Sequence, residues 1–337
     1  MASVWGHRLE KRGWSEDTIK VHLLSIAKST RRSYDNVLKK CRDLCRKGSF
    51  PPLATATLAE MLHALSNSSK RPSSILHTAT AALSHVYVAL DMTDLTKDDC
   101  IIRLVSGLIK SKTQEPMKKS LVMPIEKFSD LFLNWGENRS LSLKQLRMKT
   151  IVLLALSFML RPSDIAPKST YYDNDLKCEA KLVFKTDMIM FEENGLKINF
   201  FGIKNDTNRT GFEVFVPCHE NNLLDPKSSL QDYLVRTECF RKDNAVFISL
   251  RKPYDALSAS SIGKILDEAI DIVGLSGKGF TAKSFRPTGA TTAIEAGIDP
   301  HIVQKVGRWK SHDVFFQHYV HSKTPCDYVS KVVKPKV

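Results

Sequence analysis

Several features that would settle the class of this chain of 337 residues at once are missing from it. No stretch of roughly 18 consecutive apolar residues occurs, which excludes a conventional membrane-spanning helix. Residues 1–14 lack the apolar run of a secretory leader, so the protein is expected to be soluble and intracellular. Cysteine is too irregular for a disulfide framework: there are seven, an odd number, scattered from Cys41 to Cys326. Cys41 and Cys45 stand one helical turn apart, but no Cys or His pair follows at zinc-like spacing. They read as buried or idle thiols in a reducing compartment. There is no glycine-rich nucleotide loop, no internal repeat and no low-complexity tract. Acidic residues are also in short supply, 36 against 50 Lys and Arg, for a formal net charge of +14. So much positive charge repels itself unless an anionic partner is near, and nucleic acid is the expected one. A basic but unspecialised protein is the alternative.

What is present suits a globular chain of two domains. Hydrophobic residues make up 42% and charged ones 26%, enough apolar material for sizeable cores. The positive surplus is denser at the start, with twenty basic residues against eleven acidic over residues 1–120. That stretch is patterned as helices. Ser15, followed by Glu16 and Asp17, predicts a helix start, with Ile19, Leu23, Leu24 and Ile26 as its stripe. Ser29 or Thr30 is expected to cap the next helix, in which Tyr34, Val37, Leu38, Cys41, Leu44 and Cys45 recur at helical spacing until Gly48. Its opposite face carries Arg31, Arg32, Lys39, Lys40, Arg42, Arg46 and Lys47. A solvated face is one reading; with so few acidic partners, phosphate contact is the better one. After Pro51 and Pro52, helices are expected over residues 57–66 and 73–90, then a last one capped by Asp94 or Thr96. Residues 110–120 are charged, broken by Pro116 and aperiodic. The expected division is therefore a helical domain over 1–112, a linker over 113–120 and a second domain over 121–337.

In the second domain a helix is expected from Pro124 to Phe132 with proline at its first position. A longer one runs from Leu143 to Leu160 and is apolar nearly all round from Ile151, which predicts a central buried helix. It delivers Arg161, with Asp164 three residues on. An arginine emerging from a buried helix needs an anion or a carboxylate, and a structural Arg161–Asp164 ion pair meets that need. Alternation predicts strands over 181–191, 196–203 and 211–216, with turns at Asn194–Gly195 and over 205–211. A helix over 229–236, a short strand over 245–249 and a helix from Ser258 or Ser260 through Ile272 complete the approach to residues 279–321. There Lys283 precedes Arg286 by three residues, so both cations can reach one point. Gly307, Arg308 and Trp309 follow, and Tyr319 stands ten residues after the tryptophan. Arginine offers a planar fork for phosphate oxygens, lysine a proton, and tyrosine an oxygen able to bond covalently to phosphorus. Taken singly, a Lys-x-x-Arg pair is a solvated helix face; the combination is more specific.

Together these residues resemble the signature of the tyrosine recombinase (phage-integrase-like) family. That family carries His or Lys, two residues, then Arg; later Gly, a residue, then His or Trp; then the nucleophilic Tyr. Here these are Lys283 and Arg286, Gly307 and Trp309, and Tyr319, with the Trp-to-Tyr gap one residue longer than expected. Arg161 and Asp164 match the place of the first catalytic arginine and its acidic neighbour. The wording around Gly307 to Trp309 is closest to eukaryotic mobile-element recombinases of the Crypton and DIRS-like groups. The resemblance implies a mainly α fold with a small antiparallel β-sheet. A helical core-binding domain, with Thr30 to Tyr34 in its opening helix, and an α+β catalytic domain would form a C-shaped clamp on double-stranded DNA. It further implies that Arg161 and Arg286 neutralise the scissile phosphate, that Tyr319 forms a 3′-phosphotyrosyl bond, and that Lys204 on the hairpin turn protonates the 5′ leaving oxygen, with Lys197 as fallback. Lys283 would assist proton transfer, Trp309 would pack beside the phosphate, and Asp164 would orient its neighbours. No metal, cofactor or nucleotide is called for, and a metal role for His312, His318 and His321 is the weaker reading. A tetramer on DNA, a tail past Tyr319 that docks on a neighbouring protomer, and nuclear location are the remaining expectations. The alternatives are a type IB topoisomerase-like enzyme and a domesticated DNA-binding protein that has lost turnover.

Overall fold

The computed structural model describes residues 2–45, 49–111, 121–166, 170–173, 178–181, 184–203, 206, 210–319 and 329. The chain divides into two units, residues 1–117 with 170–180, and residues 118–169 with 181–337. The first unit is built by apolar stripes on short helices: α1 (Ala2–Lys11), α2 (Glu16–Leu23), α3 (Lys28–Leu44), α4 (Thr55–Asn67), α5 (Pro72–Ala89) and α6 (Asp99–Lys110). Val37, Leu38 and Cys41 of α3 meet Leu58, Leu62 and Leu65 of α4, Leu76, Leu83 and Tyr87 of α5, and Ile101 and Val105 of α6. Each fully buried leucine contributes about 1.5–3 kcal/mol over an exposed one. The Tyr87 hydroxyl donates to the Pro52 carbonyl at 2.8 Å, which fixes the proline break against the core.

Ser15 caps α2 as expected, accepting from the Thr18 amide at 3.3 Å. Three local expectations need correction. Helix α3 begins before Ser29 and Thr30, with Ala27 at its cap and no side-chain cap; burial of its apolar stripe fixes it instead. Asp94 caps only a single 3₁₀ turn, Leu95–Lys97, and Asp98 starts α6. Helix α1 was not expected at all. It is held from outside, by Arg8 and Arg12, whose guanidinium groups bind Asp91 just past the end of α5.

The second unit is organised on α8 (Leu143–Ser157), following α7 (Glu126–Trp135). Helix α7 starts two residues after Pro124, so that proline lies outside it. Ser142 and Gln145 form a reciprocal capping box at the start of α8. From Leu146 onward nearly every residue of α8 is buried, because α9 (Pro226–Thr237), α10 (Ala259–Ile272) and α11 (Phe285–Glu295) all pack on it. A Cβ at Gly289 of α11 would collide with the Leu156 carbonyl oxygen, so the close approach of α11 to α8 requires glycine there. Helices α12 (Pro300–Gly307) and α13 (His312–Tyr319) close the described chain.

Strands β1 (Thr170–Asp173) and β2 (Cys178–Lys181) form an unexpected two-stranded sheet. A second, antiparallel sheet has the order β3-β4-β5: β3 (Ile189–Glu192), β4 (Gly195–Phe200) and β5 (Phe212–Pro217). The strand expected over 181–191 is interrupted by a 3₁₀ turn, Thr186–Met188. Among the described residues, the one expected over 245–249 makes only isolated bridges, Lys185 with Ala245 and Ile248 with Ala256. The fold is thus mainly helical with a small antiparallel sheet. Among the described residues no helix is long and apolar enough to cross a membrane.

Candidate active site

Two helix ends create the site, and they are built alike. Helix α8 stops three residues before the expected Leu160, because Met159 turns left-handed at φ 51°. The Leu160 amide then reaches back to the Ala155 carbonyl at 3.0 Å and the Met159 amide to Leu156 at 3.3 Å, the six-to-one and five-to-two bonds of a Schellman turn. Arg161 leaves that turn, and Asp164 caps it by accepting from the Arg161 amide at 3.1 Å. At the end of α12, Arg308 is the left-handed residue, φ 59°. The Trp309 amide reaches Gln304 at 3.1 Å and the Arg308 amide reaches Lys305 at 3.0 Å. The same motif therefore delivers Arg161 in one place and Trp309 in the other.

Arg286, on the first turn of α11, joins the two turns. It is 3% exposed, and its guanidinium donates to the Met159 carbonyl through Nη1 and to the Gly307 carbonyl at 2.6 Å through Nη2. Both acceptors lie at the negative ends of helices, which favour a cation. Its Cζ sits 4.0 Å from the centre of the Trp309 ring and 5.5 Å from that of Tyr319. The Trp309 and Tyr319 rings are 4.7 Å apart, and the Tyr319 carbonyl accepts from the Thr291 hydroxyl at 2.9 Å. Helix α13 ends at Tyr319, which reaches the arginine of its own chain. The Trp309 indole N–H is buried without an acceptor among the described residues.

Arg161, Lys283, Arg286 and Tyr319 open into one cleft of about 700 Å³, which Ser260 and Asp267 also line. Lys283 belongs to a 3₁₀ turn capped by Thr281 and is exposed. Asp164 is buried and lies 3.9 Å from Arg161 and 3.6 Å from Arg308. Burial, then repulsion from Arg161 and Arg308, pushes the Arg286 ionisation below the usual arginine range. Burial does the same to Arg308, opposed by Asp164. Arginine remains charged at neutral pH, so these directions mean that the site strains against its own positive charge. An anion in the cleft relieves that strain.

Lys204, Arg46 and Lys47 lie outside the described residues, as do residues 112–120, which hold the expected linker, and His321. The chain flanking Lys204 is pinned by the buried Asp206, whose carboxylate accepts from the amides of Gly202, Thr210 and Gly211 at 2.9, 2.9 and 3.1 Å. Lys197 is engaged by Glu192 at 2.7 Å and Glu213 at 3.7 Å across the sheet. On α3, Arg32, Lys39, Lys40 and Arg42 are exposed and Arg31 is half-buried. At about 100° per residue, Arg32 and Lys39 fall opposite the Val37–Cys41 stripe and Arg31 at its border. Sequence reasoning passed over Arg308. The available signal was an arginine wedged between the glycine and the tryptophan of the motif.

The Tn1549 transposon integrase in complex with circular intermediate DNA shares the fold, with TM-score 0.55, 14% identity and 99% of each chain covered. A lambda integrase dimer bound to a COC′ core site matches with TM-score 0.53 and 17% identity, over 93% of this chain and 75% of that one. The XerH site-specific recombinase in a post-cleavage complex with palindromic difH substrate matches with TM-score 0.55 and 14% identity, over 85% and 75%. No curated protein matches by sequence. The model of the phage integrase family matches residues 137–325, more than half of the chain, and spans Arg161, Arg286, Trp309 and Tyr319. The protein belongs to that family, the tyrosine recombinases.

Proposed function

We propose that the protein cuts and rejoins DNA at specific sites through a covalent 3′-phosphotyrosyl intermediate. The observation that carries this reading is the shared cleft, into which Tyr319, Arg286, Arg161 and Lys283 open together. A phosphodiester resists attack because the incoming oxygen meets negative charge and the leaving alkoxide is basic. Arg161 and Arg286 neutralise the non-bridging oxygens as charge builds, each worth about 3 kcal/mol by analogy with lost oxyanion donors. The Tyr319 oxygen bonds to phosphorus as the bond to the 5′ oxygen breaks, and Lys204 supplies the proton which that oxygen takes up. Lys283 assists removal of the tyrosine proton, and Trp309 packs behind Arg286 and Tyr319 beside the phosphate. The phosphodiester bond energy is kept in the phosphotyrosine, so a second 5′ hydroxyl reseals the strand by the reverse step.

In this reading the first unit supplies phosphate contacts from Arg31, Arg32, Lys39, Lys40, Arg42, Arg46 and Lys47, and the two units clamp double-stranded DNA. Four copies assemble on the DNA, and the chain serves a mobile element of the Crypton or DIRS-like kind in a nucleus. The solved relatives caught on DNA support the DNA partner. The test is covalent trapping on a nicked suicide duplex, read as a denaturation-resistant protein–DNA band. The native protein gives the band, and Tyr319→Phe gives none while binding the duplex with unchanged Kd. A band from Tyr319→Phe would move the nucleophile elsewhere. Tight binding by the native protein with no band at all would favour a DNA-binding protein without turnover.

A further inference from the structure

Arg308 presents two anomalies at once. It holds a left-handed backbone conformation that glycine would adopt more easily, and it buries a full charge, its side chain only 1% exposed. A strained residue with a costly side chain persists where the side chain has work that no cheaper residue can do. Its surroundings say what that work is. The guanidinium lies over the Phe200 ring, Cζ 4.5 Å from the centre, donates to the Val306 carbonyl at 2.9 Å, and lies 3.6 Å from the Asp164 carboxylate. That carboxylate is the one that also faces Arg161 at 3.9 Å. Arg161 is 29% exposed and lines the cleft.

We propose that Arg308 is a positioning residue that neutralises Asp164, so that Asp164 can orient Arg161 without cancelling its charge. A carboxylate paired with Arg161 alone would make a neutral couple, well ordered but of little use to a phosphate. With Arg308 as second partner, the three groups keep a net positive charge, and the solvent-reaching member is the one that carries it into the cleft. Burial weakens the Arg308 cation, Asp164 opposes that, and Arg161 adds a smaller repulsion, so Arg308 and Asp164 are matched to each other. Glycine at 308 would ease the turn and leave Asp164 with one cation fewer to share its charge with Arg161.

The inference rests on the recombinase reading, and the test separates the two. Single-turnover trapping by the full chain is measured on a duplex with an ordinary scissile phosphate and on one with a methylphosphonate there, in which a methyl group replaces a charged oxygen. Failure of the native protein to trap the phosphate duplex defeats the recombinase reading itself. With native trapping established, Arg308→Met is expected to slow trapping of the phosphate about 10- to 100-fold, while staying within a few-fold of native on the uncharged methylphosphonate. Arg308→Lys recovers much of the phosphate rate. Should Arg308→Met fold poorly, the double variant Asp164→Asn/Arg308→Met leaves no buried orphan charge and is expected to show a native ratio of the two rates. Equal losses on both substrates in Arg308→Met would mean a structural role only and overturn the proposal, as would native rates on both, or a double variant whose ratio is shifted against the phosphate.

Discussion

Helix α3 in the first unit and the Arg286–Arg308 region in the second solve opposite problems with the same chemical group. On α3 the cations Arg32 and Lys39 stand in water opposite an apolar stripe, with Lys40 and Arg42 exposed at its flanks. Holding them costs little, each is worth little alone, and salt screens them. In the second unit Arg286 and Arg308 are 3% and 4% exposed and held by backbone carbonyls, aromatic faces and one carboxylate. Holding them is costly, and position rather than number gives them their effect. The difference teaches that net charge predicts a partner, while charge buried beside a cleft predicts a site.

The sharpest way to break that comparison is at Arg286. Arg286→Ala is expected to lower trapping by about 10²–10³-fold or more. It should also lower Tm, since the carbonyls of Met159 and Gly307 lose their donor. A variant that loses activity at native Tm would refute the double role. The next test uses Lys149, a buried cation of α8 that faces no cleft. Its ammonium finds no hydrogen-bond partner among the described residues, and burial pushes it down to about 8 although Asp232 opposes. Lys149→Met is expected to stabilise the protein by about 1–3 kcal/mol at pH 7, with trapping unchanged. Between about pH 8 and the unfolded value of 10.5 the unfolded chain binds more protons, so native stability rises with pH there and the advantage of methionine shrinks. Urea melts of both proteins at pH 7 and pH 10 decide it; an advantage that is constant or grows with pH contradicts the assignment. The smallest effect belongs to α3. Removing Lys39, Lys40 and Arg42 together should leave stability within about 0.5 kcal/mol of native. It should make the salt dependence of log DNA affinity shallower by about 0.9 for each phosphate no longer neutralised. An unchanged slope would leave that face merely solvated.

Much of this was legible in the chain because side-chain periodicity marks helices well. The α8 stripe, the Ser15 and Ser258 caps and the Lys283–Arg286 spacing all stand where the pattern put them. What escaped is what non-local contact decides. The apolar run continues through Leu160, so nothing in it marks the stop at Ser157; Met159 turns left-handed without being glycine. Helix α1 depends on Asp91, some eighty residues away. The run over 245–249 is buried like a strand but, among the described residues, pairs only at isolated bridges. Arg308 was invisible because its partners, Asp164 and Phe200, come from two distant segments.

On the proposed function, the grip of Arg286 on both helix ends bears on how such a protein ages once selection for strand transfer relaxes. A lineage kept only for binding DNA would discard Tyr319 or Lys283 cheaply, since one is half-exposed and the other exposed. It could not discard Arg286 without loosening the joint of α8, α11 and α12. The arginine would therefore outlive the activity, as a fossil held in place by the fold. Among descendants of this chain, the tyrosine and the surface lysine are the residues whose survival records continued use.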